Sequence, residues 1–156
     1  MIQIQELIKH FVLGIVSIFI IHNAMADDTK IRNFLNEIRE VKEEYAKDSF
    51  EYSIPNSFIL TVATAETGNM GFNISFTLLL YTVFNFFGVH GVGTDGSLTT
   101  EGGATLAKYK TPKDSIKAFI DLMKTGSAYE GVREAINQNK PIENMFNAMG
   151  SYAEKP

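Results

Sequence analysis

Apolar side chains recur at helical spacing near the start of the charged part of the chain. Ile31, Phe34, Leu35, Ile38, Val41 and Tyr45 are separated by polar and charged residues, which predicts an amphipathic helix over about 29–47 with a solvated outer face. Phe50 to Ile54 reads as a short extended stretch leading to Pro55. Proline suits the first turn of a second helix, which runs to about Thr67 and stops at Gly68. Residues 72–89, FNISFTLLLYTVFNFFGV, are apolar enough for a buried helix, while Asn73, Ser75, Thr77, Thr82 and Asn85 argue against a membrane span. Between Gly88 and Gly103 there are six glycines and few large side chains, which predicts turns and a short hairpin, closed by Tyr109. Three helices follow. The first starts at Thr111-Pro112-Lys113-Asp114, buries Ile116, Phe119, Ile120 and Met123, and stops at Gly126. The second starts at Ser127 and carries Tyr129, Val132 and Ile136. The third starts at Pro141, carries Met145, Phe146 and Met149, and stops at Gly150.

The N-terminus changes this picture. Lys9 and His10 precede an apolar run, Phe11 to Ile21, and Ala24-Met25-Ala26 supplies small residues for a signal peptidase. An eleven-residue run is too short to span a membrane, which takes about 20 residues. Residues 1–26 therefore read as a secretory signal with cleavage after Ala26. Uncleaved, the segment would be a membrane anchor; either way the remainder is delivered outside the cytoplasm. The expected organisation is a signal peptide over 1–26, an amphipathic helix over 27–50 and one domain over 51–156 of the 156 residues.

Composition narrows the chemistry. There is no cysteine, so disulfides and thiolate metal sites are excluded. Beyond residue 26 the chain holds 13 Lys+Arg and 17 Asp+Glu, so the net charge stays at −4 and nucleic acid is not an expected partner. His90 is the one histidine left there, too little for a His-based metal site or a Ser-His-Asp triad.

Glu66 is the candidate for chemistry. Ile59, Val62 and Glu66 fall at i, i+3 and i+7 on one face of the second helix, which sets the carboxyl against the core side. Burial disfavours the charged form, and the C-terminal end of a helix dipole acts in the same direction. A carboxyl kept protonated near neutral pH is what a general acid requires. A partly buried structural glutamate is the alternative reading of the same pattern.

Several segments then fall in a recognisable order: Ile54-Pro55 through Ala65-Glu66-Thr67-Gly68, Asn85-Phe86-Phe87-Gly88 as an N-x-F-G motif, Lys108-Tyr109-Lys110 through Ile116, Tyr129 with Val132-Arg133, and Tyr152-Ala153-Glu154. Over about residues 54–156 this series resembles the Bax-like, flagellar-type peptidoglycan endo-β-N-acetylglucosaminidases. The resemblance implies an α+β, mostly α, lysozyme-like fold: a helical lobe, a small β-hairpin lobe and a cleft between them. It implies hydrolysis of the β-1,4 bond on the reducing side of N-acetylglucosamine, with Glu66 protonating the glycosidic oxygen. Glu101, in Thr99-Thr100-Glu101, would be the second carboxylate, with Asp95 in reserve. The substrate's 2-acetamido group could serve as nucleophile instead. Tyr152 would line the catalytic cleft, and Asn85, Phe87 and Tyr109 would bind substrate. Asn69-Met70 stands where the family has a tryptophan, leaving Phe72, Phe87 or Tyr81 as sugar platforms. No metal or organic cofactor is implied. The expected partner is the glycan strand of peptidoglycan, and the expected state an exported, periplasmic or secreted monomer. Two other functions stay open on such a fold: a muramidase or lytic transglycosylase, and an inactive glycan-binding or envelope-scaffolding relative.

Overall fold

The structure, a computed structural model, describes residues 28–45, 48–67 and 83–149. The expected signal segment and its cleavage site, residues 72–82 of the apolar run with Phe72 and Tyr81, and Tyr152 lie outside the described residues. The chain divides into two units, Met1–Asn33 and Phe34–Pro156. In the first, residues 28–33 are helical, and Arg32 pairs with Asp28 one turn earlier at 2.9 Å, both exposed.

The second unit opens with helix α1, residues 34–45. It continues through α2 (Phe50–Ser53), α3 (Asn56–Glu66), strands β1 (Ser97–Thr99) and β2 (Thr105–Ala107), α4 (Pro112–Thr125), a 3-10 turn (Ser127–Tyr129), α5 (Glu130–Asn137) and α6 (Ile142–Met149). The described part is thus mostly helical with one small antiparallel sheet, an α+β architecture dominated by helix. Register pairs Ser97 with Ala107, Leu98 with Leu106 and Thr99 with Thr105.

The core is aromatic and aliphatic. Phe58, Phe87, Phe119, Ile38, Ile59, Ile116 and Ile120 are closed to solvent, each contributing the ~1.5–3 kcal/mol typical of a large buried apolar side chain. Helix α4 follows its pattern closely. The Thr111 side chain accepts a hydrogen bond from the Asp114 amide at 3.2 Å, Pro112 opens the first turn, and Ile116, Phe119, Ile120 and Met123 form its buried stripe.

The stretch from Phe50 departs from expectation: it is a short helix, not an extended segment. Two contacts explain it. The Lys42 ammonium donates to the Ile54 carbonyl at 2.5 Å and to Asn56 Oδ1 at 2.9 Å, which ties the end of α2 and the start of α3 to α1. Glu51 turns inward, almost wholly buried, and takes the Lys124 ammonium of α4. Burial pushes the Glu51 carboxyl up, but hydrogen bonds from Lys124, Ser49 and its own backbone outweigh it and hold it below the ordinary glutamate range. A depressed carboxyl pKa stabilises the fold above the ordinary value, and that contribution is lost as pH falls through the folded value. Lys124→Met therefore lowers the melting temperature at neutral pH, and the gap to the parent protein narrows in acid, where Glu51 is protonated in both. A gap that stays constant from pH 7 to pH 3 would contradict this pairing.

Candidate functional site

Glu66 is the last residue of α3, on the face predicted for it: Ile59 and Val62 are buried, and Glu66 is half-buried beyond them. Thr67 closes the helix by donating its amide and hydroxyl to the Ala63 carbonyl, at 3.1 and 2.6 Å. Burial pushes the Glu66 carboxyl above its ordinary range.

What lies against it is the N-x-F-G segment. Residues 83–89 form a tight strap, with Phe84 at φ 49 and Gly88 at φ 60 bracketing three buried residues. Glycine adopts such a φ freely, but the left-handed Phe84 persists only where the surroundings over-determine the backbone, and here they do. The Tyr109 amide donates to the Val83 carbonyl at 2.9 Å, and the Phe86 amide to the buried Ser115 hydroxyl at 3.2 Å. Val89 accepts from the Ala107 amide at 2.9 Å, and His90 bridges Leu106, so the strap runs along the free edge of β2. Near the end of the strap, at Gly88, the Glu66 carboxyl lies where a Cβ would crowd it, 3.1 Å from Oε2.

Two of the sequence candidates for substrate binding, Asn85 and Phe87, are closed to solvent, and the third, Tyr109, borders a groove. Asn85 is closed to solvent, its Nδ2 donating to the Val89 and Ala107 carbonyls at 2.9 and 3.0 Å and its Oδ1 accepting from the Val89 amide at 3.0 Å. Every group that would bind a sugar is spent on the backbone, so Asn85 organises the strap. Phe87 is likewise closed to solvent and stacks on Phe119 with centroids 4.2 Å apart and planes 12° from parallel. It is a core residue and offers no face for a sugar. Tyr109 is only 5% exposed; it borders an open groove of about 640 Å³ between α4 and residues 89–94, also lined by Tyr45 and Asp121.

The two carboxylate candidates separate. Glu101 is exposed at the tip of the turn joining β1 to β2, where Thr100 and Ala104 close the loop. Val89 stands level with Ala107, at the other end of β2. At about 3.3 Å per residue, the tip lies roughly 13 Å along the strand from that level. Glu101 thus stands exposed at the tip of the hairpin, at the far end of β2 from Val89. Asp95 belongs to the turn at the Ala107 end, where its amide donates to the Lys108 carbonyl and its carboxylate lies 3.5 Å from the Lys108 ammonium.

Tyr129, part of the resemblance through Tyr129 with Val132-Arg133, is partly buried within electrostatic reach of Glu66. Burial, and then the charge of Glu66, pushes its phenol up. Its ring packs on Gly126, where a Cβ would stand 2.7 Å from Cδ2. Arg133 fixes this corner by donating to the Met123 and Gly126 carbonyls at 2.9 and 2.7 Å. The glycine three residues before the tyrosine was the available sequence signal. Among the described residues no group of three or more His, Asp or Glu side chains is gathered for a metal ion. No family model, curated protein or solved structure matches the chain.

Proposed function

We propose that this protein is an exported glycoside hydrolase of the endo-β-N-acetylglucosaminidase type, acting on peptidoglycan glycan strands as a monomer, with Glu66 as general acid on a lysozyme-like fold. The observation that carries the reading is the seating of Glu66 against Gly88. It joins two segments of the family resemblance, 22 residues apart in sequence, around one half-buried carboxyl whose pKa is raised by burial. Such a carboxyl holds its proton at a higher pH than a solvated one and can deliver it to a leaving oxygen. A second enzyme carboxylate used as nucleophile would have to lie about 5 Å from the acid. The exposed position of Glu101 at the hairpin tip favours attack by the substrate's own 2-acetamido group, with Asp95, at the Ala107 end of the hairpin, as the alternative carboxylate.

Digestion of purified peptidoglycan by the mature chain tests the reading. Products ending in reducing N-acetylglucosamine are expected. Reducing N-acetylmuramic acid would instead mark a muramidase, and an anhydro sugar a lytic transglycosylase. Binding without any cleavage would mark an inactive glycan-binding relative.

A further inference from the structure

We propose that Gly88 is a positioning residue for Glu66, because its missing side chain is the space in which the carboxyl group rests. The inference builds on the reading of Glu66 as the acid. A Cβ placed on Gly88 would stand 3.1 Å from Glu66 Oε2 and 3.9 Å from Cδ. The backbone on either side is held in place. The strap is pinned just before Gly88 by the Phe87–Phe119 stack and just after it by the Val89 hydrogen bonds to Asn85 and Ala107. Glu66 is pinned by the end of α3, where Thr67 bonds back to Ala63. The part free to yield is the acid side chain itself, which must shift by a few tenths of an ångström off the wall. Tyr129 is the titratable neighbour whose interaction with that carboxyl would change with it.

Gly88 also has φ 60, which disfavours any L side chain, so the backbone demand must be separated from the contact. The protein contains its own control. Gly96 has φ 90, and nothing lies within 4 Å of where its Cβ would be. Gly96→Ala therefore imposes a left-handed alanine without touching the acid, whereas Gly88→Ala imposes both.

The test uses the full chain with three variants: Gly88→Ala, Gly88→Asn, since asparagine tolerates positive φ better, and Gly96→Ala. The Glu66 carboxyl is titrated by its 13C shift, and kcat and KM are measured on peptidoglycan. Gly88→Ala and Gly88→Asn are expected to bring the Glu66 midpoint down towards the ordinary glutamate value. They should lower kcat severalfold with KM little changed, because the shift is a fraction of the misplacement of about 1 Å that costs 10²-fold. Gly96→Ala should lose melting temperature alone. Combining Gly88→Ala with Glu66→Asp should cost no more rate than Glu66→Asp by itself, because the shorter acid no longer meets the added methyl. A Glu66 midpoint identical in the parent and both Gly88 variants overturns the proposal. An inactive parent protein whose Glu66 midpoint still responds to Gly88 counts against the hydrolase reading and leaves the seat standing.

Discussion

Glu66→Gln is expected to abolish the proposed glycan hydrolysis and to leave the protein folded. Glutamine keeps the shape of the side chain and part of its hydrogen bonding but cannot deliver a carboxylic proton. General acid catalysis is worth about 10²–10⁴ in rate, so the loss is large. The stability change runs the other way. Burial raises the Glu66 pKa above the ordinary value of 4.5, so between that value and the folded one the native state holds a proton that the unfolded chain has released. The stabilising contribution of such a group is whole below the ordinary value and is lost as pH rises through the folded value. Glutamine has no proton to lose, so Glu66→Gln should match the parent protein in mild acid and equal or exceed it in melting temperature at neutral pH and above. Paired activity assays and thermal melts at two pH values check both halves. An active but less stable Glu66→Gln protein would return Glu66 to the role of a structural glutamate.

Asn85→Asp is expected to be among the most damaging single substitutions for stability. It is nearly isosteric, so packing is kept while the donor disappears. The Val89 amide fixes which end of the carboxamide carries oxygen, because the opposite orientation would set Nδ2 against an N–H. Aspartate then puts a carboxylate oxygen against the Val89 and Ala107 carbonyls, in a site closed to solvent. An uncompensated buried charge costs roughly 3–5 kcal/mol, and at about 2–4 °C per kcal/mol for a chain of this size the melting temperature falls by roughly 6–20 °C. The introduced acid avoids part of this by staying protonated, since burial and the facing carbonyls both raise its pKa. A raised pKa means stability present at low pH and lost as pH rises, so the deficit is smallest in acid and largest at neutral pH. Asn85→Ala should lose stability without that slope. An Asn85→Asp protein as stable as its parent at pH 7 would show that the carboxamide does not hold the strap to β2.

These two residues also divide what local pattern can show from what folding adds. Helix α4 is readable in full from Thr111-Pro112 to Gly126, because caps and a 3.6-residue stripe are properties of neighbouring positions. The core-side placement of Glu66 is readable for the same reason, through Ile59 and Val62. Glycine spacing likewise announces the hairpin. Nothing local distinguishes the inward Asn85 from a solvent-facing one, since the residue type does not say whether its amide meets water or backbone. The same holds for Phe87, whose ring could serve a sugar or a core until Phe119 claims it. The Phe50–Ser53 helix depends on Lys42 and Lys124, reached from elsewhere in the chain. The place of Glu101, at the far end of β2 from Val89, follows from the pairing of Val89 and His90 with β2. Each of these choices is made by contacts between residues distant in sequence, whose energies no short window contains, whereas helix period, cap and turn chemistry act within a few residues and are written where they act.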